Sequence, residues 1–431
     1  MVFMPHWPIP MVKNDVMKGL GRINELLGRL GNPHKKLPPV IHVTGTNGKG
    51  STIAYLRAIF ERAQLKVHTY ISPHLIRFNE RIVLAGLEIT DQYLYEIMEE
   101  TRLASIGLHT TFFEAVTAGA FLAFSRIKAD VLLLEVGMGG IVDATNVIED
   151  SLLSIITTVS FDHVEFLGTT IAQIAREKSG IIRPNRPCVV GWQMQEAIDV
   201  FVEQSALKQA ALCACNRDWN FEVGDSGFTF YDHQSGLRMQ LPPPSLIGLH
   251  QIVNAATVVA ACKKHLCSYF PITDQNIKDG ISNAVWPARM QRITKGRLFD
   301  MLPDGFELWL DGAHNTGGAQ MISATIGNLW QDKPIYIING RTGERDIKGF
   351  LEYFKGLVTA IYGVKVLSEP KAESAENIAI AAREIGFESH ASASIIEAIS
   401  SIISSSIKRP ARILVIGSLY LAGDILLANE D

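Results

Sequence analysis

The chain has 431 residues, too many for one ordinary hydrophobic core, and its length points to two or three domains. An apolar share of 47%, a charged share of 19% and 35 glycines fit a soluble α/β protein better than a disordered or fibrous one. The formal net charge of −4 carries no signature of nucleic acid or anionic lipid as a partner.

The N-terminal stretch MVFMPHWPIPMVKND holds prolines and His6 where a signal peptide needs a basic start and an unbroken apolar run, so it reads as mature chain. No apolar segment approaches the roughly 20 residues of a membrane span, and a cytoplasmic location follows by default. Cys188, Cys213, Cys215, Cys262 and Cys267 are odd in number and lack paired C-x-x-C spacing. They read as reduced, mostly buried thiols without chemistry.

Along the chain, apolar runs bounded by glycine and proline alternate with helical patterns, as in a mainly parallel sheet covered by helices. The first strand, VIHVT, ends in GTNGKGST, Gly45 to Thr52, after which Ile53, Leu56, Phe60 and Ala63 share one helix face. Strand, glycine loop and helix make a phosphate site, where backbone N–H groups and the helix N-terminus cradle oxygens. The usual P-loop spacing nevertheless fails: Val43 stands at the first glycine position and Gly50 separates Lys49 from Ser51. Gly45, Gly48 and Gly50 fit the turn, Lys49 would bridge phosphate oxygens, and Ser51 or Thr52 would offer a hydroxyl to magnesium. A glycine-rich turn without a ligand is the alternative.

Further strands are expected at VHTYI, DVLLLEV, LLSIITT and CVVGW, with helices at DQYLYEIMEETRLA, FFEAVTAGAFLAFSR and TIAQIAREKSG. Glu114 is the only charge in its helix before Arg126, a placement that a helix's first turn favours without any function. Glu135 ends an apolar strand at the carboxyl edge of the sheet, where ligands bind in open α/β folds; a strand-end acid facing water is the alternative. Asp162 and His163 follow the next strand, and a lone histidine is more often structural than a ligand. Lys178 lies three residues beyond Ala175 and four beyond Ile174, on the inward face of its helix. An ammonium there must meet a carboxylate or a phosphate or be chemically modified, with a salt-bridged structural lysine as the plain alternative.

Between Asn216 and Pro244 short alternating pieces suggest a hairpin excursion before the helix around HQIVNAATVVAACKKH. After WPARMQRI a second α/β series begins: strand FELWL, a helix from Thr316, strand PIYIIN, a helix after Asp346, strand AIYGVKV, two helices and strand RILVIG. The boundary is placed near Pro287, giving domains 1–287 and 288–431. At the mouth of the second series, LWLDGAHNTGGA presents Asp311, His314 and Asn315. Either Asn315 or Thr316 caps an ordinary helix, or two phosphate-type loops hold a nucleotide in a cleft reached from both sides.

Together and in this order, GTNGKGST, SPHLIRFNERI, FFEAVTAG, LLLEVGMGGIVDATN, DHVEFLG, IAREKSGII, HQIVNAA, PAR and LDGAHNTGGA resemble the folylpolyglutamate synthases and bifunctional dihydrofolate synthases of the Mur ligase superfamily. The motifs span about Ile41 to Ala319, and the tail ILVIGSLYLAGDIL is similar as well. In that family the loop carries the extra glycine and binds ATP. The resemblance implies an N-terminal P-loop-type ATPase domain with a mainly parallel sheet, binding ATP and folate. A smaller, Rossmann-like C-terminal α/β domain would close on the nucleotide and bind glutamate.

By position, the resemblance implies ATP contacts from Gly45, Thr46, Asn47, Gly48, Lys49, Gly50, Ser51 and Thr52, joined by Asn254, Arg289, Asp311 and His314. Ser51, Ser72, Glu135 and His163 match metal ligands for one or two magnesium ions. Lys178 matches the lysine that is carbamylated in the superfamily, which would turn the inward cation into an anion. Lys49, Lys178 and His163 would carry the catalysis. Phe113, Asp143 and Ala144 match the pterin pocket, and SPHLIRFNERI resembles the mobile loop that helps close the folate site.

The implied reaction joins L-glutamate to dihydropteroate or to reduced folates: a substrate carboxylate takes the γ-phosphoryl of ATP, and the glutamate amine then displaces phosphate. The resemblance also implies a monomer acting on small molecules, with no nucleic-acid or membrane partner, and leaves a potassium ion open. Two positions depart from the family pattern. Ile141 stands where GGR-x-DATN often has arginine, and INGRTGERD differs from the more usual GMxxDKD-like run. One rival is a monofunctional synthase making only one of the two products. A Mur-type ligase acting on a cell-wall nucleotide would need an N-terminal UDP-binding domain, and only about forty residues precede the loop. A catalytically inactive ATP-binding regulator could dispense with Glu135, His163 and Lys178, all of which are present.

Overall fold

The computed structural model describes residues 19–343, 346–406 and 409–430, so the stretch with His6, and Glu344 and Arg345 of INGRTGERD, lie outside the described residues. The chain divides into two compact units. The first runs to Ser245 and takes in Gln251–Val285; the second comprises Leu246–His250 and the chain from Trp286 onward.

In the first unit β1 (Val40–Thr44), β2 (Val67–Tyr70), β3 (Ile82–Leu84), β4 (Leu87–Glu88), β5 (Val131–Glu135), β6 (Leu153–Ile156), β7 (Cys188–Val190) and β8 (Leu212–Ala214) form one sheet. Their order is β4-β3-β2-β5-β1-β6-β7-β8. The strands from β2 to β8 in that order run parallel, and β3 and β4 return antiparallel at one edge. Parallel strands covered on both faces read as unbroken apolar runs, and VLLLE of β5 is buried at every position. The register aligns Val43 with Glu135 on one side and with Ile155 on the other. The chain therefore leaves β1, β5 and β6 side by side at the carboxyl edge.

The expected helices occupy Asp91–Ala104, Phe112–Arg126 and Ile171–Lys178. The pattern does not announce Gly21–Arg29, Gln195–Leu207 or Asp274–Asn283, nor the short strands β3, β4 and β8. Both residues of β4 are exposed, so no apolar alternation marks it. The expected hairpin has a third strand: β9 (Trp219–Gly224), β10 (Gly227–Asp232) and β11 (Arg238–Leu241) form an antiparallel sheet. Among the described residues no helix is long and apolar enough to cross a membrane.

The second unit contains β12 (Gln291–Ile293), β13 (Glu307–Leu310), β14 (Ile335–Asn339), β15 (Ala360–Gly363), β16 (Ser389–Ala391) and β17 (Arg412–Ile416). Their order is β12-β13-β17-β14-β15-β16, parallel except for β12. Ile326, Ile337, Phe350, Phe354, Ile361 and Leu414 are fully buried in its core. Strands β12 and β16 are not expected from the pattern, because edge pairing rather than apolar periodicity defines them.

A buried acid anchors the start of β13. Glu307 accepts from Lys333 Nζ (2.7 Å), Arg412 Nε (3.0 Å) and Trp309 Nε1 (2.9 Å). Burial alone would raise its pKa, but these donors outweigh burial and hold the carboxyl at about 2. The stabilisation is therefore complete above the ordinary glutamate range and is lost as pH falls toward 2. Glu307→Gln leaves Lys333 without its counter-charge and Arg412 with Asp332 alone. It is expected to lower the thermal midpoint at pH 7 by roughly 5–10 °C and to flatten the acid limb of a melting-temperature profile.

Candidate active site

The loop after β1 is built by close approach. Gly45 has φ +148° and Gly48 φ +92°, and both face neighbours that leave no room for a side chain. A Cβ on Gly45 would stand 1.8 Å from Thr157 Oγ1, just beyond β6; one on Gly48 would stand 2.3 Å from Asn254 Oδ1. Gly50 behaves differently from the expectation of a turn glycine, because the helix Lys49–Arg62 already contains it. The loop rests on the chain beyond β6. Thr46 N and Asn47 N both donate to the Thr158 carbonyl (3.0 and 3.3 Å), and Thr157 Oγ1 donates to the Asn47 carbonyl (2.7 Å). Thr46 Oγ1 donates to the Ser160 carbonyl (3.0 Å), and Asn47 Nδ2 to Ser160 Oγ (3.1 Å).

Two cations converge on one acceptor in this loop. Lys49 Nζ donates to the carbonyls of Gly45 (3.2 Å) and Thr46 (3.3 Å), and Lys178 Nζ donates to the same Gly45 carbonyl (3.0 Å). Lys178 is 3% exposed. Burial, and then the like charge of Lys49, lower its pKa to about 7, against the pull of Asp162, Asp143 and Glu177. The inward lysine of the sequence pattern thus meets a backbone carbonyl, with carboxylates at longer range. In the first turn of the helix, the hydroxyls of Ser51 and Thr52 are buried and have no hydrogen-bond partner. First-turn N–H groups of a helix likewise lack intrahelical acceptors.

Glu135, 5% exposed at the end of β5, accepts from Ser72 N (3.3 Å), which brings the segment after β2 to it. That segment is organised by Glu80, whose carboxylate accepts from the backbone N–H groups of Leu75, Ile76 and Arg77 (2.7, 2.9 and 2.7 Å). Beyond Glu135 the loop passes close to the end of the helix Ile171–Lys178: a Cβ on Gly140 would lie 2.6 Å from the Glu177 carbonyl. Asp143 is buried and closes this loop on itself, accepting from Met138 N (2.9 Å), Thr145 N (2.9 Å) and Thr145 Oγ1 (2.5 Å). Burial raises its pKa against those donors. Ala144 is buried beside it and Ile141 is 43% exposed. Phe113 packs on Gly137, where an added Cβ would stand 2.5 Å from Phe113 Cζ. Glu114 completes a capping box with Thr111 and pairs with Arg22 (3.2 Å), a structural role.

His163 stands on the loop after β6 in the left-handed region (φ 50°), its backbone N–H donating to Asp162 Oδ1 (3.0 Å). Asn254 is buried on Gly48 and donates to Gln251 Oε1 (3.1 Å). Among the described residues no group of three or more His, Cys, Asp or Glu side chains is arranged to hold a metal. The oxygens on offer are hydroxyls and single carboxylates.

In the second unit Asp311 follows β13, 3% exposed, and its carboxylate accepts from Met290 N and Ala313 N (both 2.8 Å). Burial raises its pKa while Arg289 pulls it down. A Cβ on Gly312 would lie 2.8 Å from Arg289 Nη1, so the arginine lies across the loop. His314 Nδ1 is 3.2 Å from the Gly312 carbonyl, and Asn315, not Thr316, caps the following helix through Gly318 N (2.8 Å).

Sequence reasoning passes over Thr157, Ser160 and Gln193. Gln193 bridges Val159 N (2.9 Å) and the Thr157 carbonyl (2.8 Å), holding the chain on which the glycine loop rests. The polar run TTVS directly after an apolar strand is the one signal that could have found the first two.

Comparison with known proteins agrees along the whole chain. The family profile described as Mur ligase middle domain matches residues 43–262, and that described as Mur ligase, glutamate ligase domain matches residues 288–419. The dihydrofolate synthase/folylpolyglutamate synthase of Bacillus subtilis (strain 168) is 32% identical, over 97% of this chain and 96% of its own. Among solved structures, E. coli FolC in complex with DHPP and ADP superposes with a TM-score of 0.84 at 29% identity, covering 95% of this chain and 92% of that one. A bifunctional folylpolyglutamate synthase/dihydrofolate synthase with Mn, AMPPNP and L-glutamate bound has a TM-score of 0.81 at 28% identity, covering 95% and 94%.

The two glycines of the loop differ in what blocks them. Thr157 is pinned by hydrogen bonds to the carbonyls of Thr44 (3.2 Å) and Asn47 (2.7 Å), whereas Asn254 meets Gly48 with the end of its side chain. Gly45→Ala is expected to cost about 2–4 kcal/mol and Gly48→Ala about 1 kcal/mol in thermal or denaturant unfolding.

Proposed function

Because this chain belongs to the Mur ligase family of dihydrofolate and folylpolyglutamate synthases, ATP-dependent ligases, we propose that it joins L-glutamate to dihydropteroate and to the glutamyl tail of reduced folates. The observation that carries this reading is the convergence of Lys49 and Lys178 on the Gly45 carbonyl, beside the unpartnered hydroxyl of Ser51 at the start of a helix. Residues 45–52 hold the phosphates of ATP: the helix N-terminus favours anions, and Lys49 exchanges its loop carbonyls for phosphate oxygens. Asn254, buried on Gly48, adds a nucleotide contact within the first unit, and the second unit carries the glutamate site. Phe113, Asp143 and Ala144 border the acceptor.

Magnesium fits the oxygens present. The buried Ser51 hydroxyl lacks a partner, and Glu135 is a buried carboxylate at the end of β5, in register with Val43 of the strand from which the loop leaves; a hard cation that keeps phosphate and water ligands needs few protein oxygens. Ser51, Ser72, Glu135 and His163 would hold it, and when bound it would neutralise charge on the phosphoryl group in transit. A monovalent cation such as potassium is a further candidate in this site.

Lys178 is the modification site. An amine with a pKa of about 7 is substantially unprotonated at neutral pH and can add to carbon dioxide. The new N–C bond forms as one N–H proton leaves, and the carbamate keeps an N–H for the Gly45 carbonyl. The like-charge repulsion from Lys49 becomes attraction. In the reaction, an acceptor carboxylate oxygen attacks the γ-phosphorus and ADP leaves. The glutamate amine then attacks the acyl phosphate carbon, loses a proton and expels phosphate. Water must be kept from the acyl phosphate throughout.

Incubation with ATP, magnesium and labelled L-glutamate, with dihydropteroate or tetrahydrofolate as acceptor, is expected to give a ligated product of the correct mass from each. Product from one acceptor alone would establish the monofunctional alternative, and product from neither would reject the reading. Lys178→Ala is expected to lower kcat by about 100-fold or more. The protein with lysine at 178 should show a carbamate signal in 13C NMR with labelled bicarbonate, and the variant should lack it.

A further inference from the structure

A buried imidazole in the middle of a parallel strand calls for an explanation. His42 sits in β1 opposite Leu134 and Ser154, with no exposed surface. Isolated among apolar neighbours it would be costly, and a phosphate-site strand has no chemical need of it. Its Nε2 lies 2.9 Å from Thr145 Oγ1. The Thr145 hydroxyl has a single proton, and the 2.5 Å contact to Asp143 Oδ1 uses it. Its lone pair must then accept, which makes His42 the donor with a proton on Nε2, and burial, which lowers its pKa well below the ordinary value, keeps the ring neutral. The hydrogen bonds form a chain from strand to carboxylate: His42 to Thr145, Thr145 to Asp143, with Thr145 N and Met138 N closing on the same carboxylate (both 2.9 Å). The far side of the loop is anchored separately, by Arg183 Nη2 on Asn146 Oδ1 (2.6 Å) and Asn146 Nδ2 on the Ile141 carbonyl (3.1 Å).

We propose that His42 is a positioning residue for the folate-class acceptor, orienting the Asp143 carboxylate through the Thr145 hydroxyl. The inference rests on the reading of Asp143 as an acceptor contact. It follows from a plain constraint: a carboxylate on a loop keeps one orientation only if its donors are themselves held, and β1 is the rigid element that holds Thr145. The bonds from His42 to Asp143 include no group of the nucleotide loop, and Asp143 acts on Lys178 only at longer range, so the effect is expected mainly at the acceptor.

His42→Leu removes the donor, His42→Gln keeps a distal N–H, Thr145→Val removes the relay and Asp143→Asn alters the end of the chain. In steady-state assays of the intact enzyme, His42→Leu and Thr145→Val are each expected to raise KM for the acceptor about tenfold. KM for ATP and kcat should stay within about twofold, His42→Gln should return to within about threefold of the parent, and the double variant His42→Leu/Thr145→Val should be no worse than either single one. Equal damage to the ATP and acceptor KM values, or a His42→Gln protein as impaired as His42→Leu, would overturn the proposal. Should His42→Leu fail to fold, as a melting curve would reveal, Thr145→Val and His42→Gln carry the same test. Asp143→Asn separates the two ideas. An unchanged acceptor KM in that variant rejects Asp143 as a contact, and the inference with it; a raised KM there with no effect from Thr145→Val or His42→Leu rejects only the role of His42.

Discussion

The close approach of Gly45 to Thr157 is the constraint on which the site depends. A parallel sheet places the ends of β1 and β6 side by side, but the loop can lie flat on the β6 side only because position 45 has no side chain. Once seated, the loop donates through Thr46 and Asn47 to the Thr158 carbonyl and leaves the Gly45 carbonyl facing the helix that carries Lys178. The glycine is thus chosen for packing as much as for backbone freedom.

That carbonyl then sets the electrostatics. Two ammonium groups share a single acceptor in a buried place, and burial is paid for by a lowered pKa at the more deeply buried one. Lys49, the first residue of its helix, shares its ammonium between the Gly45 and Thr46 carbonyls. With its pKa lowered to about 7, Lys178 can lose its charge by giving up a proton at neutral pH. Asp143, an acid raised by burial at the same edge, is held by two backbone N–H groups and the Thr145 hydroxyl rather than by arginine.

The second unit repeats the device with a different balance. Asp311 closes its loop through two N–H groups, as Asp143 does, and Asn315 caps the helix that follows. Its stability rests at the opposite end of the sheet, on Glu307 and its cluster of donors. The polar loop at the carboxyl edge and the charge cluster at the amino edge thus lie at opposite ends of β13.

Much of this is legible in the chain. Apolar runs and glycine punctuation reveal the order of strand, loop and helix from Val40 to Arg62, the two α/β series and the inward face of Lys178, because those features depend on local periodicity. What periodicity cannot show is which distant polar groups meet. Lys178 and Gly45 lie 133 positions apart, and His42 and Thr145 lie 103 apart; only the strand order β5-β1-β6 brings them together. The helical start of Gly50, the edge strands β12 and β16, the placement of Gln193 under the loop and the structural use of Glu114 were decided there as well. The sequence by itself determined the elements and the residue types available for chemistry, since hydrophobic burial and backbone conformation act over a few residues. The tertiary structure decided the pairings, since a hydrogen bond is made only where the packed sheet leaves donor and acceptor within about 3 Å of each other.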